Sequence, residues 1–393
     1  MAHDVLSSMG NEAEATRMKK VVVFANTAWN LKNFRAGLIG QLVAEGYKVV
    51  LVAGKKGETD EPFILDMPCA YIRLSTRGRN PFTELFSFCQ LAMLMIKERP
   101  DYCLTFTIKP NLYTGLIGRI IPFTHIMNIT GLGQGFAKDG LFKKILIGLF
   151  RLAISKRSFL FFQNQQDKGI FLGSGLGAEE FCGLLPGSGV NLQKFAYHER
   201  VVPVGEPTVF LFCGRLLRSK GVDRVVRAVK TLYSEGFDVR LNIVGIFETG
   251  FDAIKKDEIE DWADGQLITF EGEQTDVRPS IRRADCVVLP TAYPEGSPRI
   301  LIESAAIGRP AIASRTKGCK DIIIDEFTGL LCIVRDDEDL LRQMRRIVDM
   351  GPEKRRTLGV AGRKYMESHY DETIIIDSYL HQMKGLSSEL RNM

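Results

Sequence analysis

Residues 209–244 read VFLFCGRLLRSKGVDRVVRAVKTLYSEGFDVRLNIV, and this stretch decides the fold. Val209–Cys213 is a short apolar run that predicts a buried strand, Gly221–Ser234 has the apolar spacing of a helix, and Val239–Val244 predicts a second strand. A strand, a helix and a further strand in close succession indicate a parallel βαβ unit. The predicted fold class is therefore α/β.

The same alternation extends over most of the chain, with one interruption. The first half predicts strands at Lys20–Asn26, Lys48–Ala53, Tyr102–Thr107, His125–Ile129 and Ser158–Gln163, and helices at Arg35–Ala44, Glu84–Lys97, Tyr113–Arg119 and Leu141–Lys156. The pattern stops after Phe195, in a segment that contains Pro203, Gly205 and Pro207, and then begins again. We therefore expect an N-terminal extension at residues 1–17, Rossmann-like domains at residues 18–198 and 199–371, and a closing helix at residues 372–393 that packs back on the first domain.

Composition and charge restrict the class of protein. The 393 residues are 45% hydrophobic and 25% charged, which is typical of a globular chain. Residues 1–195 carry 23 Lys and Arg against 15 Asp and Glu, whereas the remainder carries 29 against 32. The basic first half suits a membrane surface, a nucleic acid or a phosphorylated substrate, or it serves solubility alone. The eight cysteines form no C-x-x-C pair, and the chain has neither a signal-peptide pattern nor an apolar run of spanning length, so we expect a cytosolic protein.

The most informative motif is Pro294-Glu295-Gly296-Ser297-Pro298-Arg299-Ile300-Leu301-Ile302-Glu303. Ser297 is a good N-cap and Pro298 suits the first helical turn, so a helix is predicted to begin here with free amides that attract an anion. Arg299 and Glu303 are four residues apart and share a helix face, where Glu303 can accept hydrogen bonds from ribose hydroxyls. The alternative is a capped surface helix with one internal glutamate.

A second basic motif follows the strand Val209–Cys213. Arg215 and Lys220 are predicted at the carboxyl end of that strand and the start of its helix, where open α/β sheets bind ligands. Two cations at this place can neutralise a leaving diphosphate without a metal ion. The alternative is a pair of solvated basic residues in a turn.

Three further patterns concern other kinds of site, and two of them argue against a redox dinucleotide site and a metal site. The first strand is followed by Asn26-Thr27-Ala28 rather than by G-x-G-x-x-G, which disfavours a redox dinucleotide on the first domain. The glycines of residues 131–135 indicate either a tight loop or a flexible loop beside a substrate. The acidic run Asp336-Asp337-Glu338-Asp339 contains a D-x-D pattern, but it directly precedes an amphipathic helix, and we interpret it as a helix cap rather than a metal site.

Arg215, Lys220 and the E-x7-E pair of Glu295 and Glu303 resemble the hallmark of the retaining glycosyltransferase family 4, and the resemblance extends over the chain from Met18. It implies the GT-B fold, in which two Rossmann-like domains with parallel sheets face each other across a cleft. It also implies a UDP-sugar donor and no metal or other cofactor. The implied donor-binding residues are Arg215, Lys220, Phe270, Gly272, Glu295, Gly296, Ser297, Arg299, Ile300 and Glu303, of which Arg215, Lys220 and Glu295 would act in catalysis.

The first half resembles a bacterial subgroup of that family through the stretches NTAWNLKNFR, FTIKPNLYTG, NITGLGQGF, FQNQQD and LLPGSGVNLQKF. The subgroup builds surface polysaccharides, O-antigens and glycans on undecaprenyl diphosphate. The implied acceptor-binding residues are Asn26, Asn33, Arg35, Lys109, Asn111, Thr130 and Gly131. Many family members have a histidine where this chain has Thr130-Gly131, and His125 does not match that position.

The sequence thus predicts a hexosyltransferase that acts on a lipid-linked saccharide at the inner face of the bacterial cytoplasmic membrane, without a nucleic-acid partner. The basic amphipathic segment Leu141–Arg157 is the candidate for membrane contact. Two alternatives remain, namely a nucleotide-sugar epimerase or hydrolase that shares the architecture, and a non-catalytic nucleotide-sugar-binding protein.

Overall fold

The computed structural model describes residues 17–55, 63–74, 81–132, 136, 140–203, 205–293 and 295–391. It divides into two compact units: unit 1 comprises Met1–Ser188 with Ile375–Met393, and unit 2 comprises Gly189–Ile374. The sequence placed the first boundary ten residues later, at 198. Val190 and Phe195 belong with unit 2 because both side chains are buried in its core and the Val190 amide donates to the Tyr370 carbonyl at 2.7 Å.

Unit 1 is built on a sheet of eight described strands in the order β3-β4-β2-β1-β5-β6-β7-β8. The strands are β1 Lys20–Ala25, β2 Lys48–Gly54, β3 Phe63–Ile64, β4 Met67–Ile72, β5 Tyr102–Phe106, β6 Thr124–Ile129, β7 Ser158–Phe162 and β8 Cys182–Leu184. All pairings are parallel except that of β3 with β4. The strand order reverses between β1 and β5, which makes the carboxyl ends of these two strands the switch point of the sheet.

The described helices of unit 1 cover both faces of this sheet. They are Ala28–Phe34, Ala36–Ala44, Pro81–Glu98, Ile108–Ile117, Leu141–Ala153 and Gln165–Gly173, together with the part of Glu372–Arg391 that follows Ile374. The sequence predicted one helix at Arg35–Ala44, whereas the structure has two, since Thr27 caps an earlier helix and Arg35 has a φ of −125° between them. The closing helix places Ile375, Tyr379 and Met383 in the core of unit 1.

Unit 2 is built on a sheet of six parallel strands in the order β11-β10-β9-β12-β13-β14. The strands are β9 Thr208–Leu216, β10 Val239–Phe247, β11 Ile268–Gly272, β12 Cys286–Leu289, β13 Ala311–Ser314 and β14 Leu330–Cys332. The helices are Val222–Ser234, Lys256–Trp262, Arg278–Arg283, Arg299–Ile307, Lys317–Lys320, Asp337–Asp349 and Gly351–His369. Here the order reverses between β9 and β12, so that the segments after these two strands border the switch point.

In both sheets several inner strands are buried, as expected for parallel strands whose two faces are covered by helices. The β12 and β13 strands are buried along their whole length, and so are β5, β6 and β7. The eight cysteines are free thiols, and most of them are buried. Among the described residues, none of the helices is both long and apolar enough to cross a bilayer.

Candidate active site

The segments that follow β9 and β12 meet at the switch point of unit 2. The amides of Ala292 and Tyr293 donate to the Ser219 carbonyl at 2.7 and 3.1 Å, and the Thr291 hydroxyl donates to the same oxygen at 3.3 Å. One carbonyl of the loop after β9 thus holds three groups of the loop after β12. These bonds fix the two loops together at the edge of the sheet where open α/β folds bind ligands.

Gly221 permits this close approach. It has a φ of +82°, and a Cβ atom at this position would lie 2.7 Å from the carbonyl oxygen of Pro290. Only glycine satisfies both the left-handed conformation and the lack of space. The turn at Gly221 ends the short 3-10 helix Arg218–Lys220, and it therefore sets the position of Lys220.

Lys220 and Arg215 lie on one aromatic ring. The Lys220 ammonium is 5.5 Å from the centroid of the Tyr293 ring, and the Arg215 guanidinium is 4.7 Å from the same centroid. Lys220 donates to the carboxylate of Glu295, and Arg215 pairs with Glu248 at 3.7 Å. Burial lowers the pKa of Arg215, but the Tyr293 hydroxyl and the carboxylates of Glu248 and Glu295 raise it by more, so that the guanidinium stays charged. The sequence motif thus becomes a compact group of two cations around one ring.

A second glycine, Gly318, packs directly against the loop that carries Glu295. A Cβ atom on Gly318 would lie 2.5 Å from the Gly296 carbonyl oxygen and 2.7 Å from that of Glu295. The helix Lys317–Lys320 is therefore packed directly against the backbone of this loop, where a larger residue would displace Glu295. Pro294 lies outside the described residues.

The helix after this loop has the bounds that the sequence predicts, but its N-cap residue is Pro298 rather than Ser297. It covers Arg299–Ile307, with Pro298 at the N-cap position and no side-chain cap from Ser297. Pro298 has a ψ of 110°, which is extended backbone, and its carbonyl already accepts the Leu301 amide at 3.1 Å. The Leu301 amide is therefore not one of the free amides that the sequence predicts for an anion, whereas the helix N-terminus itself stays at the edge of the sheet.

Arg299 and Glu303 share a helix face, as predicted from their spacing. The Arg299 Nε and Nη2 atoms donate to Glu303 Oε1 at 3.2 and 3.0 Å, and Nη1 donates to the Gly189 carbonyl. The carboxylate of Glu303 is only 13% exposed. Burial raises the pKa of Glu303, and the charge of Arg299 opposes that shift. Arg299 thereby orients Glu303 and favours its ionised form.

Phe270 and Gly272 lie at the carboxyl end of β11. The rings of Phe270 and Phe247 meet edge to face at 5.6 Å, and Gly272 has a φ of +74°. The intervening Glu271 is held by the Ser280 hydroxyl at 2.5 Å and by Arg283 at 2.9 Å. Gly272 ends the strand at the same edge of the sheet as Arg215, two strands away from β9.

Unit 1 places some of the predicted acceptor-binding residues at its own switch point. Asn26 follows β1, and Lys109 stands in the first turn of the helix after β5, where its ammonium pairs with Glu84 at 2.6 Å. Thr130 and Gly131 follow β6 and are half-buried. The remaining glycines of that loop, Gly133 and Gly135, lie outside the described residues.

Three other predicted acceptor-binding residues point to roles inside the fold. Asn111 is fully buried, accepts from the Thr105 hydroxyl at 2.6 Å and donates to a backbone carbonyl. The guanidinium of Arg35 is buried 3.9 Å above the ring of Phe106. The Asn33 amide donates to its own helix backbone at 3.0 Å. We therefore expect Arg35 and Asn111 to support the site rather than to touch a ligand.

His125, which did not match the histidine of the resembled family, has a structural role. Its Nε2 atom lies 2.7 Å from the Thr105 hydroxyl, and the side chain is buried. Burial lowers the pKa of His125 to about 3, so that the imidazole is neutral at physiological pH. A group of this kind cannot reach an acceptor hydroxyl.

The acidic run forms a helix cap, as predicted. The Asp336 carboxylate accepts from the Asp339 amide at 2.8 Å at the start of the helix Asp337–Asp349. Asp337 pairs with Arg224 and with Arg227. Within the part of the chain that the structure describes, no group of three or more His, Cys, Asp or Glu is arranged to hold a metal ion.

Sequence reasoning missed Tyr293, Glu248 and Gly318. Tyr293 directly precedes the Pro-Glu-Gly turn, so an aromatic residue at a predicted strand end was the available signal. Glu248 follows β10 and Gly318 comes from a short helix after β13, and both reach the site only through the pairing order of the strands. Nothing in the linear sequence connects them to Arg215 or Glu295.

The segment that carries this geometry is similar to known proteins. Residues 193–365 match the model for glycosyl transferases group 1, and the match includes Arg215, Lys220, Glu295 and Glu303. An N,N'-diacetylbacillosaminyl-diphospho-undecaprenol alpha-1,3-N-acetylgalactosaminyltransferase from Campylobacter jejuni is 23% identical over 89% of this chain and 94% of its own length. A UDP-Gal:alpha-D-GlcNAc-diphosphoundecaprenol alpha-1,3-galactosyltransferase from Escherichia coli is 22% identical over 78% of this chain and 81% of its own length.

A solved structure shares the architecture. The sucrose-phosphate synthase of Thermosynechococcus elongatus superposes with a TM-score of 0.77 at 18% identity, over 94% of this chain and all of the other. This is the GT-B fold, which the two parallel sheets of units 1 and 2 also show. The chain is a glycosyltransferase with the GT-B fold, and its residues 193–365 match the model for glycosyl transferases group 1.

Proposed function

We propose that this enzyme transfers a hexose or N-acetylhexosamine from a UDP-sugar to a saccharide on undecaprenyl diphosphate, with retention of anomeric configuration and without a metal ion. The observation that carries the proposal is the group of Arg215, Lys220 and Glu295 around Tyr293 at the switch point of unit 2. The acceptor class is supported by the two undecaprenyl-linked transferases, since this chain matches most of the length of each.

The proposed chemistry requires stabilisation of a leaving diphosphate. As the bond between the sugar C1 atom and the phosphate oxygen breaks, negative charge develops on that oxygen. Arg215 and Lys220 are already oriented by Tyr293 and by their carboxylate partners, so they can meet this charge with little reorganisation. The N-terminus of the helix Arg299–Ile307 adds backbone dipoles of the same sign.

The acceptor proton is proposed to go to the leaving group. The acceptor hydroxyl attacks C1 from the face that the diphosphate leaves, a C1–O bond to the acceptor forms, and the hydroxyl proton moves to the departing phosphate oxygen. Glu295 would orient the sugar, and Glu303, held by Arg299, would bind the ribose. The neutral and buried His125 is consistent with a reaction that uses no histidine base.

Two other functions would fit the same donor site. A GT-B epimerase or hydrolase would release an epimer or UDP, and a non-catalytic protein would bind the UDP-sugar without turnover. Incubation with radiolabelled UDP-sugars and a bacterial lipid extract separates the three. Label in the lipid fraction supports transfer, whereas free UDP with no labelled lipid, or binding alone, would contradict it.

An undecaprenyl-linked acceptor stays in the bilayer, so we further propose that the enzyme is peripheral on the inner face of the cytoplasmic membrane. The helix Leu141–Ala153 buries Leu146, Phe150 and Ala153, yet it exposes Leu152 together with basic side chains such as Lys144. A helix with this second, exposed apolar face suits the headgroup region of anionic lipid.

Replacement of Lys220 by Met should lower kcat about 100-fold, or about 3 kcal/mol, because it removes a preorganised charge from the transition state. Steady-state kinetics with a defined lipid-linked acceptor measures this. Since the substitution leaves the mostly buried Glu295 without its partner, the Lys220→Met, Glu295→Gln double variant should restore thermal stability but not activity. Arg218→Ala, in the same turn but paired with the partly exposed Glu258, is the control and should keep normal turnover. Normal kcat in Lys220→Met would contradict the leaving-group role.

Replacement of the two glutamates should affect UDP affinity differently, and calorimetric titration with UDP measures that difference. Glu303→Gln should weaken UDP binding about 10- to 100-fold, because a charge-assisted hydrogen bond to ribose is lost. Glu295→Gln should bind UDP almost normally and yet lose transfer. The exposed Glu260, which pairs with Lys256 on the protein surface, gives the control Glu260→Gln, for which neither quantity should change. Equal losses of UDP affinity in the two active-site variants would show that their roles are not divided.

Activity should survive removal of divalent metals. Transfer measured after dialysis against EDTA is expected to stay within about twofold of the untreated rate, because cations of the protein meet the leaving-group charge. Asp337→Asn should lower the melting temperature, since Asp337 pairs with Arg224 and Arg227, but it should not alter the response to metal. An absolute Mg²⁺ or Mn²⁺ requirement that Asp337→Asn abolishes would instead assign a metal to the acidic run.

Reversal of charge on the helix Leu141–Ala153 should weaken membrane binding. The Lys143→Glu, Lys144→Glu, Arg151→Glu variant loses attraction of about 1 kcal/mol per basic residue and gains repulsion. Co-sedimentation with anionic vesicles at low salt should therefore fall sharply while the fold persists. Reversal of three exposed lysines of unit 2, Lys230, Lys354 and Lys364, is the matched control and should have a much smaller effect. Equal losses in the two variants would mean that net charge, and not this helix, governs binding.

A further inference from the structure

Unit 1 exposes a second row of large apolar side chains that the sequence analysis assigned no role. We name this row the Phe82 stripe; it consists of Phe82, Leu85, Phe86, Met93 and Ile96 on the helix Pro81–Glu98. Phe82 is 83% exposed, and Met93 is 63% exposed. Large apolar side chains that are exposed together along one helix mark an interaction site.

The helix Pro81–Glu98 therefore has two apolar faces. At about 100° per residue the five members of the Phe82 stripe lie within an arc of about 100°. The opposite side places Leu91 and Met95, both fully buried, in the core of unit 1. Burial of the inner face is enough to hold the helix on the sheet. The exposure of apolar side chains on the outer face therefore requires a separate explanation.

The Phe82 stripe belongs to the same side of unit 1 as the exposed face of the helix Leu141–Ala153. The helix Ile108–Ile117 connects the two, because Tyr113 stacks edge to face on Phe88 at 6.0 Å, and a Cβ atom on Gly115 would touch Ala153. The turn after that helix extends the Phe82 stripe at its Ile96 end, since Ile120 is 84% exposed and lines one pocket together with Ile96. The helices Pro81–Glu98 and Leu141–Ala153 thus cover the same side of the sheet of unit 1, and each exposes apolar side chains on its outer surface.

The charges of this face favour an anionic partner. Lys144, Arg151, Lys156 and Arg157 are exposed on or after the helix Leu141–Ala153. The described carboxylates of the helix Pro81–Glu98 are neutralised, because Glu84 pairs with Lys109 at 2.6 Å and Glu98 pairs with Lys20 at 2.9 Å. A second copy of the chain would bring like charges together, whereas a bilayer with anionic headgroups complements both the apolar and the basic parts.

We propose that the helix Pro81–Glu98 is a second membrane-contacting element, which inserts the Phe82 stripe into the boundary between headgroups and acyl chains. The proposal rests on the lipid-linked acceptor of the proposed function. The helix Leu141–Ala153 supplies electrostatic attraction, which salt screens, and the Phe82 stripe supplies apolar burial, which salt does not screen. Through the Glu84–Lys109 pair, the first turn of the inserted helix is fixed to the carboxyl end of β5, so the predicted acceptor edge of unit 1 is brought to the bilayer.

The test uses salt concentration to distinguish the contributions of the helices Pro81–Glu98 and Leu141–Ala153 to vesicle binding. Wild type and a Leu85→Gln, Met93→Gln, Ile96→Gln variant are sedimented with phosphatidylglycerol–phosphatidylcholine vesicles at about 0.1 M and about 1 M salt, where the Debye length is about 10 and about 3 Å. Wild type should keep a binding component at high salt. In the variant, the partition coefficient at high salt should fall at least about tenfold, since three large apolar side chains no longer enter the lipid. The Lys143→Glu, Lys144→Glu, Arg151→Glu variant should lose chiefly the low-salt component.

A matched control removes exposed apolar surface from unit 2. Val201, Tyr233 and Phe327 are exposed there, and their joint replacement by Gln should leave vesicle binding unchanged. Full release of wild type at high salt, or equal high-salt binding by the Leu85, Met93 and Ile96 variant, would overturn the proposal. A concentration-dependent dimer in sedimentation velocity without lipid, abolished by the same variant, would assign the face to a second copy instead.

A further measurement keeps this proposal distinct from the proposed function. With a saccharide acceptor on a short, water-soluble prenyl diphosphate, the Leu85, Met93 and Ile96 variant should transfer sugar at the wild-type rate, because insertion is no longer needed. With the full undecaprenyl acceptor in vesicles, its rate should fall together with its binding. Failure of wild type to use either acceptor would count against the lipid-linked acceptor class and would leave the vesicle-binding result to be judged separately.

Discussion

The ion pair between Lys220 and Glu295 is the interaction on which the candidate active site depends. It joins the loop after β9 to the loop after β12, the two strands between which the order of the sheet reverses. Both side chains are largely buried, so the loss of either partner would leave a charge without compensation. The pair in turn requires Gly221 against Pro290 and Gly318 against the Glu295 backbone, because a Cβ atom at either position would push the loops apart.

The sheet of unit 1 also reverses its strand order, between β1 and β5. Its switch point is supported by a buried polar network in which Thr105 contacts His125 and Asn111, and Asn128 donates to Tyr379 of the closing helix. Thr107, just beyond, has a φ of +78°, a conformation that a threonine adopts only where the surrounding structure imposes it. The edge proposed for the acceptor is therefore held in place by groups that have no acid–base role at neutral pH, which agrees with our proposal that the leaving phosphate takes the proton.

The two units also differ in what they leave exposed. Unit 2 concentrates its charge in paired networks, such as that of Asp337 with Arg224 and Arg227. Unit 1 exposes apolar side chains on its outer helices beside basic residues that include Lys144 and Arg157. This asymmetry agrees with the proposed division, in which unit 2 binds the nucleotide-sugar and unit 1 the membrane-confined acceptor.

The sequence by itself determined the α/β class, the existence of two sheets and the segments that carry Arg215, Lys220, Glu295 and Glu303. It could do so because strand and helix periodicity, glycine turns and the four-residue spacing of Arg299 and Glu303 are local properties. Only the tertiary structure decided that Tyr293 lies beneath both cations, that Asn111 and Arg35 are buried, and that the outer face of the helix Pro81–Glu98 is exposed. These features depend on which strands pair and on which helix face meets the sheet, and an apolar stripe has the same sequence pattern whether it is covered or exposed.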